Sequence, residues 1–252
     1  LHEDYFGLIT FLLSAANIIL PLLVFGMQNT IVKFYSSYKT KEAQDNFLTV
    51  TLLIPLVIIV PLALVGALIY ETIANWISVE NPIIKNYTYL IFIVAIFMGY
   101  FEVFYAWTKV HMKSVFGNFI KEIFPRFCTS LLLFAVFLKW LTNEQFIYGV
   151  VIVYAISTLI MMLYAFSVYK PTLKFKLPSN IKEILSFSVY IIVAGSAAGV
   201  LLEIDKFMIP QMEKIAQVAY YSVGIYIASV IAIPTRAMQQ ITIPITAKDM
   251  ND

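Results

Sequence analysis

The chain has 252 residues, of which 61% are hydrophobic and 13% are charged, and its formal net charge is +2 at pH 7. Soluble domains average about 45–50% apolar and about 25% charged residues, so this chain could not cover itself with polar surface in water. A single cysteine excludes an internal disulfide and any cysteine-based metal cluster.

Apolar runs of about 20 residues recur along the chain, which is the pattern of transmembrane helices. Only helices or closed barrels satisfy their backbone hydrogen bonds in hydrocarbon, and these runs are too continuous for barrel strands. We therefore predict an all-α, polytopic transmembrane helix bundle with about seven spans. In chain order the predicted helices A to G cover Tyr5–Lys33, Phe47–Ile77, Ile83–Val110, Phe116–Trp140, Phe146–Tyr169, Ile184–Pro210 and Gln217–Thr246.

The distribution of basic residues orients the bundle. Twelve of the 17 lysines and arginines lie in or beside the A–B, C–D and E–F connections and the C-terminal tail, whereas only four lie on the opposite face. The positive-inside rule makes the three connections cytoplasmic. Helix A then enters from the outside, and we expect a further helix to precede it, because the first span of a polytopic protein seldom runs inward.

The E–F connection, YKPTLKFKLPSNIKE, combines two prolines with four lysines and is the best candidate for a boundary between two bundles. We predict N-terminal lobe helices, without their first helix, over residues 1–169. A cytoplasmic inter-lobe connector would cover residues 170–183, and the first two helices of a C-terminal lobe would cover residues 184–252.

The motifs of the common enzyme classes are missing from the sequence, which contains no phosphate-cradling glycine loop, HExxH or GxSxG. Its two histidines, His2 and His111, do not have metal-ligand spacing. We expect a protein that is not an enzyme and that needs no cofactor or metal. Isolated polar groups within apolar helices usually mark a substrate or ion pathway instead.

The stretch LLEIDKFMIP places three ionisable residues near the end of helix F. Glu203 and Lys206 are spaced i, i+3 and can meet on one helix face, while Asp205 points elsewhere. Asp205 could line a cavity as a proton, cation or sugar site. The alternative is that the three side chains simply extend into the lipid headgroups at the outer end of the helix.

Helix G contains Arg236 within IPTRAMQQITIP, followed by Gln239. An arginine at membrane depth is costly unless it is paired or hydrated. Its planar fork suits a diphosphate or a carboxylate, so we predict that it faces a cavity. It could instead reach the headgroups or pair with an acid such as Glu102.

Glu102 lies in helix C, where a lone buried carboxylate would have a raised pKa and could titrate near neutrality. The alternative is a structural hydrogen bond to a tyrosine or tryptophan of a neighbouring helix. Near the inner end of helix D, Glu122 and Arg126 have the i, i+4 spacing of a structural ion pair.

Helix A contributes further candidates for the pathway near its inner half. These are Gln28, Asn29 and Lys33. The helix also contains Pro21, and helix B contains two prolines; prolines at mid-span are tolerated beside a cavity and allow the bending that alternating access uses.

Two segments resemble a known family. YFGLITFLLSAANIILPLLVFGMQNTIVKFYS resembles the second helix of polysaccharide-lipid flippases, the Wzx-type branch of the multidrug/oligosaccharidyl-lipid/polysaccharide (MATE-like) exporter superfamily. LLEIDKFMIPQMEKIAQVAYYSVGIYIASVIAIP resembles the seventh and eighth helices of that family. Helices A to G would then correspond to the second through eighth helices of a two-lobe transporter.

The resemblance implies a transporter that moves undecaprenyl-diphosphate-linked oligosaccharide between the leaflets of the bacterial inner membrane for surface polysaccharide such as O-antigen. Its partners would be membrane lipid and a polymerase or glycosyltransferase. It would not bind nucleic acid. Two relatives remain open as alternatives. Peptidoglycan-precursor flippases use several cavity arginines, where this chain offers Arg236, and drug/cation antiporters use first-lobe acids, where it offers Glu102. A membrane glycosyltransferase or a seven-helix receptor is the alternative outside the superfamily.

Overall fold

The computed structural model describes residues 2–172 and 176–228, and this part of the chain is helical without strands. Short 3₁₀ turns at Tyr35–Ser37 and Pro82–Tyr87 join some of the helices. The α-helices are α1 (Glu3–Leu23), α2 (Met27–Phe34), α3 (Lys41–Leu68), α4 (Tyr70–Ile77), α5 (Thr88–Val110), α6 (Ser114–Glu122), α7 (Phe124–Phe137), α8 (Asn143–Val168), α9 (Ile181–Met212) and α10, which begins at residue 216 and is described to residue 228.

The prediction of an all-α polytopic bundle is confirmed. Within the described residues, four helical segments are long and apolar enough to cross a membrane: α1, α3, Pro82–Val110 and α8. Helix α9 adds a fifth if its two halves, Ile181–Ala194 and Gly199–Met212, which meet at 49°, form one span. Most of predicted helix G lies outside the described residues.

Predicted helix D is divided into two shorter helices. The chain leaves regular helix at Ile123, between α6 and α7. Pro125 contributes to the break, because it has no amide hydrogen for the helical ladder and lies in the first turn of α7, where that hydrogen is not needed. The break places Lys121, Glu122 and Arg126 close to an irregular point of the backbone.

Predicted helix A is also divided, and the break aligns α2 with α9. Phe25 and Gly26 have φ values of 50° and 62°, in the left-handed region. A Cβ atom on Gly26 would lie 3.2 Å from the carbonyl oxygen of Ser188, so the glycine permits both the turn and the close approach of α9.

Helix α5 lies at the centre of the bundle and packs against α1, α2 and α8. Large side chains such as Trp107, Phe11 and Phe146 are fully buried there. The outer half of α3 is different, because its leucines and valines are exposed, as with Leu68 at 86%. An apolar cavity of about 590 Å³ separates this half of α3 from α1, α4 and α5.

The loops gather at two opposite ends of the bundle. At one end, Asn81 contacts the α9–α10 loop. At the other end, Tyr169 contacts Asp45, and Tyr38 contacts Asn180. The second end holds the lysine-rich connections, as the positive-inside argument predicts, and we call it the inner end and the first the outer end.

Candidate functional site

Helices α1 and α2 share one long interface with α9. Near the outer end, the rings of Phe11 and Phe207 stack with centroids 5.5 Å apart. Ser14 donates a hydrogen bond of 2.7 Å to the backbone carbonyl of Glu203. The interface therefore brings predicted helix A against the charged stretch of predicted helix F.

The charged stretch of α9 is arranged as its spacing predicts. Lys206 Nζ lies 2.5 Å from Glu203 Oε2, and about a fifth of each side chain is exposed. Asp205 points away from this pair and accepts a 2.6 Å hydrogen bond from the Tyr221 hydroxyl of α10. Glu203 and Lys206 thus form a half-buried ion pair, whereas Asp205 links α9 to the next helix.

The other predicted ion pair lies at the break between α6 and α7. Arg126 is bonded to Glu122 at 3.1 Å, which confirms the predicted i, i+4 pair. Both of its side chains are exposed, unlike those of Glu203 and Lys206.

Glu102 is not the lone carboxylate that the sequence suggested. Its Oε1 lies 2.7 Å from Nζ of Lys121, which is on α6. The expectation of an unpaired acid, or of one bonded to tyrosine or tryptophan, is therefore wrong. Gly117 explains the difference, because a Cβ atom there would lie 2.4 Å from the Tyr105 ring, and its absence lets α6 fold closely onto α5. A lysine inside a predicted span was the signal for this pair, since such a charge needs a partner.

The three candidates in α2 have different surroundings. Among the described residues, the buried Oε1 atom of Gln28 has no hydrogen-bond partner, whereas Asn29 is exposed. Lys33 is also exposed, and its Nζ lies 3.8 Å from the centre of the Phe187 ring of α9. Within the described chain, no hydrogen bond or ion pair joins any of the three to Glu102 or Asp205.

Arg236 and Gln239 lie outside the described residues, and their roles remain predictions. In the described part of the chain, the histidine, cysteine, aspartate and glutamate side chains do not form a group of three that could hold a metal ion.

The outer end of the bundle is held by Asn81, a residue that the sequence analysis missed. Its amide nitrogen donates to the carbonyl oxygens of Pro210 at 2.7 Å and Glu213 at 2.8 Å. Its amide oxygen accepts from the backbone N–H of Ile215 at 2.8 Å. Asn81 is 6% exposed, so one buried side chain satisfies three backbone groups at the end of α9 and in the α9–α10 loop. We call these contacts the outer clamp.

Asp45 has a comparable position at the inner end. This buried carboxylate accepts hydrogen bonds from the Tyr169 hydroxyl at 2.5 Å and from the backbone and side chain of Thr172 at 3.1 and 2.5 Å. Burial and the bond to Asp45 raise the pKa of the Tyr169 phenol, so it stays protonated and able to donate. Asp45 thereby fastens the start of the E–F connection to α3.

Tyrosines complete the inner end. Tyr38 donates to Asn180 Oδ1 at 2.7 Å, which ties the start of α9 to the segment before α3. The Tyr35 hydroxyl lies 3.0 Å from Nε2 of His111. Burial raises the pKa of both tyrosine phenols, so both remain neutral hydrogen-bonding groups. We call the contacts of Asp45, Tyr35 and Tyr38 the inner cluster.

Comparison with known proteins places the chain in a family. Neither the curated proteins nor the solved structures that were searched gave a match. The family described as polysaccharide biosynthesis protein matches residues 1–248, which is nearly the whole chain. The chain therefore belongs to the polysaccharide biosynthesis protein family, the family of Wzx-type polysaccharide flippases and related MATE-like exporters, and is a multi-pass membrane protein.

Proposed function

We propose that the chain forms part of a flippase that moves an undecaprenyl-diphosphate-linked oligosaccharide from the inner to the outer leaflet of the bacterial inner membrane. The product would serve surface polysaccharide synthesis, including that of O-antigen lipopolysaccharide. Transport would proceed by alternating access, without a cofactor and without chemical change to the substrate. The main support is family membership over residues 1–248.

The structure contributes one observation to this proposal, which is an ion pair inside the apolar bundle. Glu203 and Lys206 pair beside the α1 interface, with about a fifth of each side chain exposed. Charged groups at membrane depth are retained where they face a hydrated path or one another. Saccharide hydroxyl groups both donate and accept hydrogen bonds, so a carboxylate beside an ammonium group suits them.

Under this proposal Arg236 would bind the diphosphate that links the lipid to the saccharide. A guanidinium group binds two phosphate oxygens at once, whereas the lysine ammonium acts as a point charge. We also propose that residues 1–169 belong to one lobe and residues 184–252 to the other. The substrate would then pass between two units whose described contact is the interface of α1 and α2 with α9.

Drug/cation antiport receives less support from the same structure. Such transport would require a deep carboxylate that gains and loses a cation or proton, and Glu102 was the candidate in the sequence. Its carboxylate lies 2.7 Å from the Lys121 ammonium, so it already has a partner within the protein.

The test uses the full-length protein in cells that depend on it for surface polysaccharide. Arg236→Ala should abolish export and cause lipid-linked oligosaccharide to accumulate on the inner leaflet, while Arg236→Lys should retain part of the activity. Membrane abundance of each variant, measured by immunoblot, is the control for insertion. Normal export by an abundant Arg236→Ala protein would contradict the diphosphate role. A purified protein that fails to move lipid-linked oligosaccharide in liposomes would contradict the proposed function itself.

A further inference from the structure

Two lysines share one carboxylate where α5 meets α6. Lys121 Nζ lies 2.7 Å from Glu102 Oε1, whereas Lys109, in the last turn of α5, has no ion-pair partner in the described part of the chain. The Nζ atoms of Lys109 and Lys121 lie 3.9 Å and 5.9 Å from the centre of the Tyr105 ring. The two ammonium groups are therefore within about 10 Å of each other, which is the Debye length at 0.1 M salt. We call these four residues the lysine site.

The lysine site has one positive charge in excess. The next acid on α6, Glu122, does not balance it, because Glu122 is paired with Arg126 at 3.1 Å. Charged groups near the membrane interior are stabilised by a partner of opposite sign. Lys109 is exposed and the Lys121 side chain is 41% exposed, so a negatively charged group from outside the protein can reach both. The site thus has both the charge and the access that an anion requires.

Tyr105 adds a hydrogen-bond donor to the lysine site. Within the described residues its hydroxyl has no hydrogen-bond partner, although the residue is only 6% exposed. The hydroxyl is not fully enclosed, so a group from outside the protein can approach it. Hydroxyl groups of buried residues normally have a partner, and a phenol can donate to a phosphate oxygen. The ring itself is fixed, because it packs directly against the backbone of Gly117.

The surroundings of the lysine site are those of a lipid headgroup. Lys109 lies at the end of the candidate span Pro82–Val110, at the inner end of the bundle, where the headgroups of the inner leaflet begin. Helix α6 carries exposed apolar side chains as well as Lys121, with Val115 at 84% and Phe119 at 49%. Basic residues near exposed apolar ones at a membrane surface bind anionic lipid, because the charges contact the headgroup and the apolar side chains contact the acyl chains.

We propose that the lysine site binds the phosphodiester group of an anionic phospholipid of the inner leaflet. The two ammonium groups and the Tyr105 hydroxyl contact the phosphate oxygens, and the acyl chains lie along α6. Charge selects this ligand, because a phosphodiester has one negative charge, which equals the excess on the site. A diphosphate has more negative charge than the site can balance, and a zwitterionic lipid has no net charge. The bound lipid joins α5 to α6.

The experiment titrates the full-length protein in detergent with lipid and measures the bound fraction by native mass spectrometry. Phosphatidylglycerol and phosphatidylcholine both contain a phosphodiester, but only phosphatidylglycerol has a net negative charge. We expect phosphatidylglycerol to bind about fivefold more tightly or better, since one lysine near an anionic headgroup contributes about this factor. Equal binding of the two lipids would overturn the proposal. Tighter binding of undecaprenyl diphosphate than of phosphatidylglycerol would also overturn it and would assign the site to the transported substrate.

Variants locate the binding at the lysine site. Lys109→Gln should weaken phosphatidylglycerol binding about fivefold, while Lys113→Gln, at an exposed lysine of the same connection, should leave it unchanged. Glu102→Gln should strengthen binding, because it frees Lys121 from its internal carboxylate, and a purely structural ion pair would not produce this gain. Equal loss with Lys113→Gln, or no gain with a folded Glu102→Gln protein, would contradict the proposal.

The melting temperature of each variant shows whether it is folded. Lys109 is exposed, so Lys109→Gln tests the proposal even if Glu102→Gln does not fold. Because the measurement requires no transport, its outcome is separate from that of the flippase proposal.

Discussion

The outer clamp and the inner cluster attach the two ends of α9 to the rest of the bundle by different chemistry. At the outer end, one amide side chain bonds three backbone groups, and a Cβ atom on Gly7 would lie 2.1 Å from the Ile215 carbonyl oxygen. At the inner end, contacts are made mostly between side chains, as with Tyr38 and Asn180. The backbone groups of the outer clamp have no other buried partner. The hydroxyl groups of the inner cluster can separate one by one and bind water instead. We therefore expect the inner end to open at a lower free-energy cost than the outer end.

The largest effect is expected for Asn81→Ala. The substitution leaves the carbonyls of Pro210 and Glu213 and the amide of Ile215 without their partner, at roughly 1–3 kcal/mol for each buried group. Thermal unfolding of the detergent-solubilised protein, followed by fluorescence-detected gel filtration, should shift clearly downward. Asn75→Ala is the matched control, because Asn75 is an exposed asparagine on α4. An equal shift of the unfolding temperature for the two variants would show that the outer clamp is not the stronger of the two ends.

A smaller effect is expected for Asp45→Asn at the inner end. An amide can keep one acceptor toward Tyr169 but turns a donor toward the Thr172 amide, and each bond to a charged group contributes about 1.5–3 kcal/mol. The E–F connection should detach locally without general unfolding, so trypsin should cleave after Lys176 faster than in the parent protein. Glu183→Gln, an exposed acid in the first turn of α9, is the control. Unchanged cleavage with Asp45→Asn would mean that Asp45 does not fasten the connection.

Tyr38→Phe should have a still smaller effect. It removes the 2.7 Å bond to Asn180 but preserves the ring, whose centroid lies 4.8 Å from that of Phe47. A neutral hydrogen bond contributes about 0.5–1.5 kcal/mol, so the melting temperature should fall only slightly. Cross-linking between cysteines placed at residues 39 and 182 in a Cys128→Ala background would report whether these two residues move apart. A drop as large as that of Asn81→Ala would reverse the proposed order of the two ends.

The smallest effect is expected between Thr30 and Ser188, midway along the interface. Their hydroxyl oxygens lie 2.8 Å apart, and each is also near a backbone carbonyl, that of Gly26 or Ile184. One hydroxyl therefore donates to the other, which donates to its own carbonyl. Thr30→Val and Ser188→Ala should each cost about 1 kcal/mol or less, and the double variant should cost less than the sum. Additive effects in this double-mutant cycle would show that the two hydroxyls do not interact.

Local spacing explains which parts of the candidate site could be predicted from the sequence. Glu203 with Lys206 and Glu122 with Arg126 are neighbours on one helix, so the helical period alone predicts them. The break in helix D was also readable, because Pro125 stands inside the predicted span. The all-α class follows from the apolar runs, since hydrocarbon leaves helices as the only fitting structure.

Contacts between distant segments could not be predicted in the same way. Asn81 bonds backbone groups that lie 129 and 132 residues further along the chain, and backbone groups carry no sequence signal of their own. The pairing of Glu102 with Lys121 depends on the close packing of Gly117 against Tyr105, which is a matter of shape rather than of charge.

The division of predicted helix D also bears on the biogenesis of the protein. Segment 114–137 has charges at Lys121, Glu122 and Arg126 near its middle, and each charge at a span centre adds about 2.5–3.5 kcal/mol to the free energy of insertion by the translocon. Helix α5 emerges from the ribosome first, and its Glu102 can then neutralise Lys121 as α6 arrives. We therefore expect the insertion of α6 and α7 to depend on α5, whereas the uncharged outer half of α3 can enter the membrane alone. The ion pair that stabilises the finished bundle would thus act earlier as a step in its assembly.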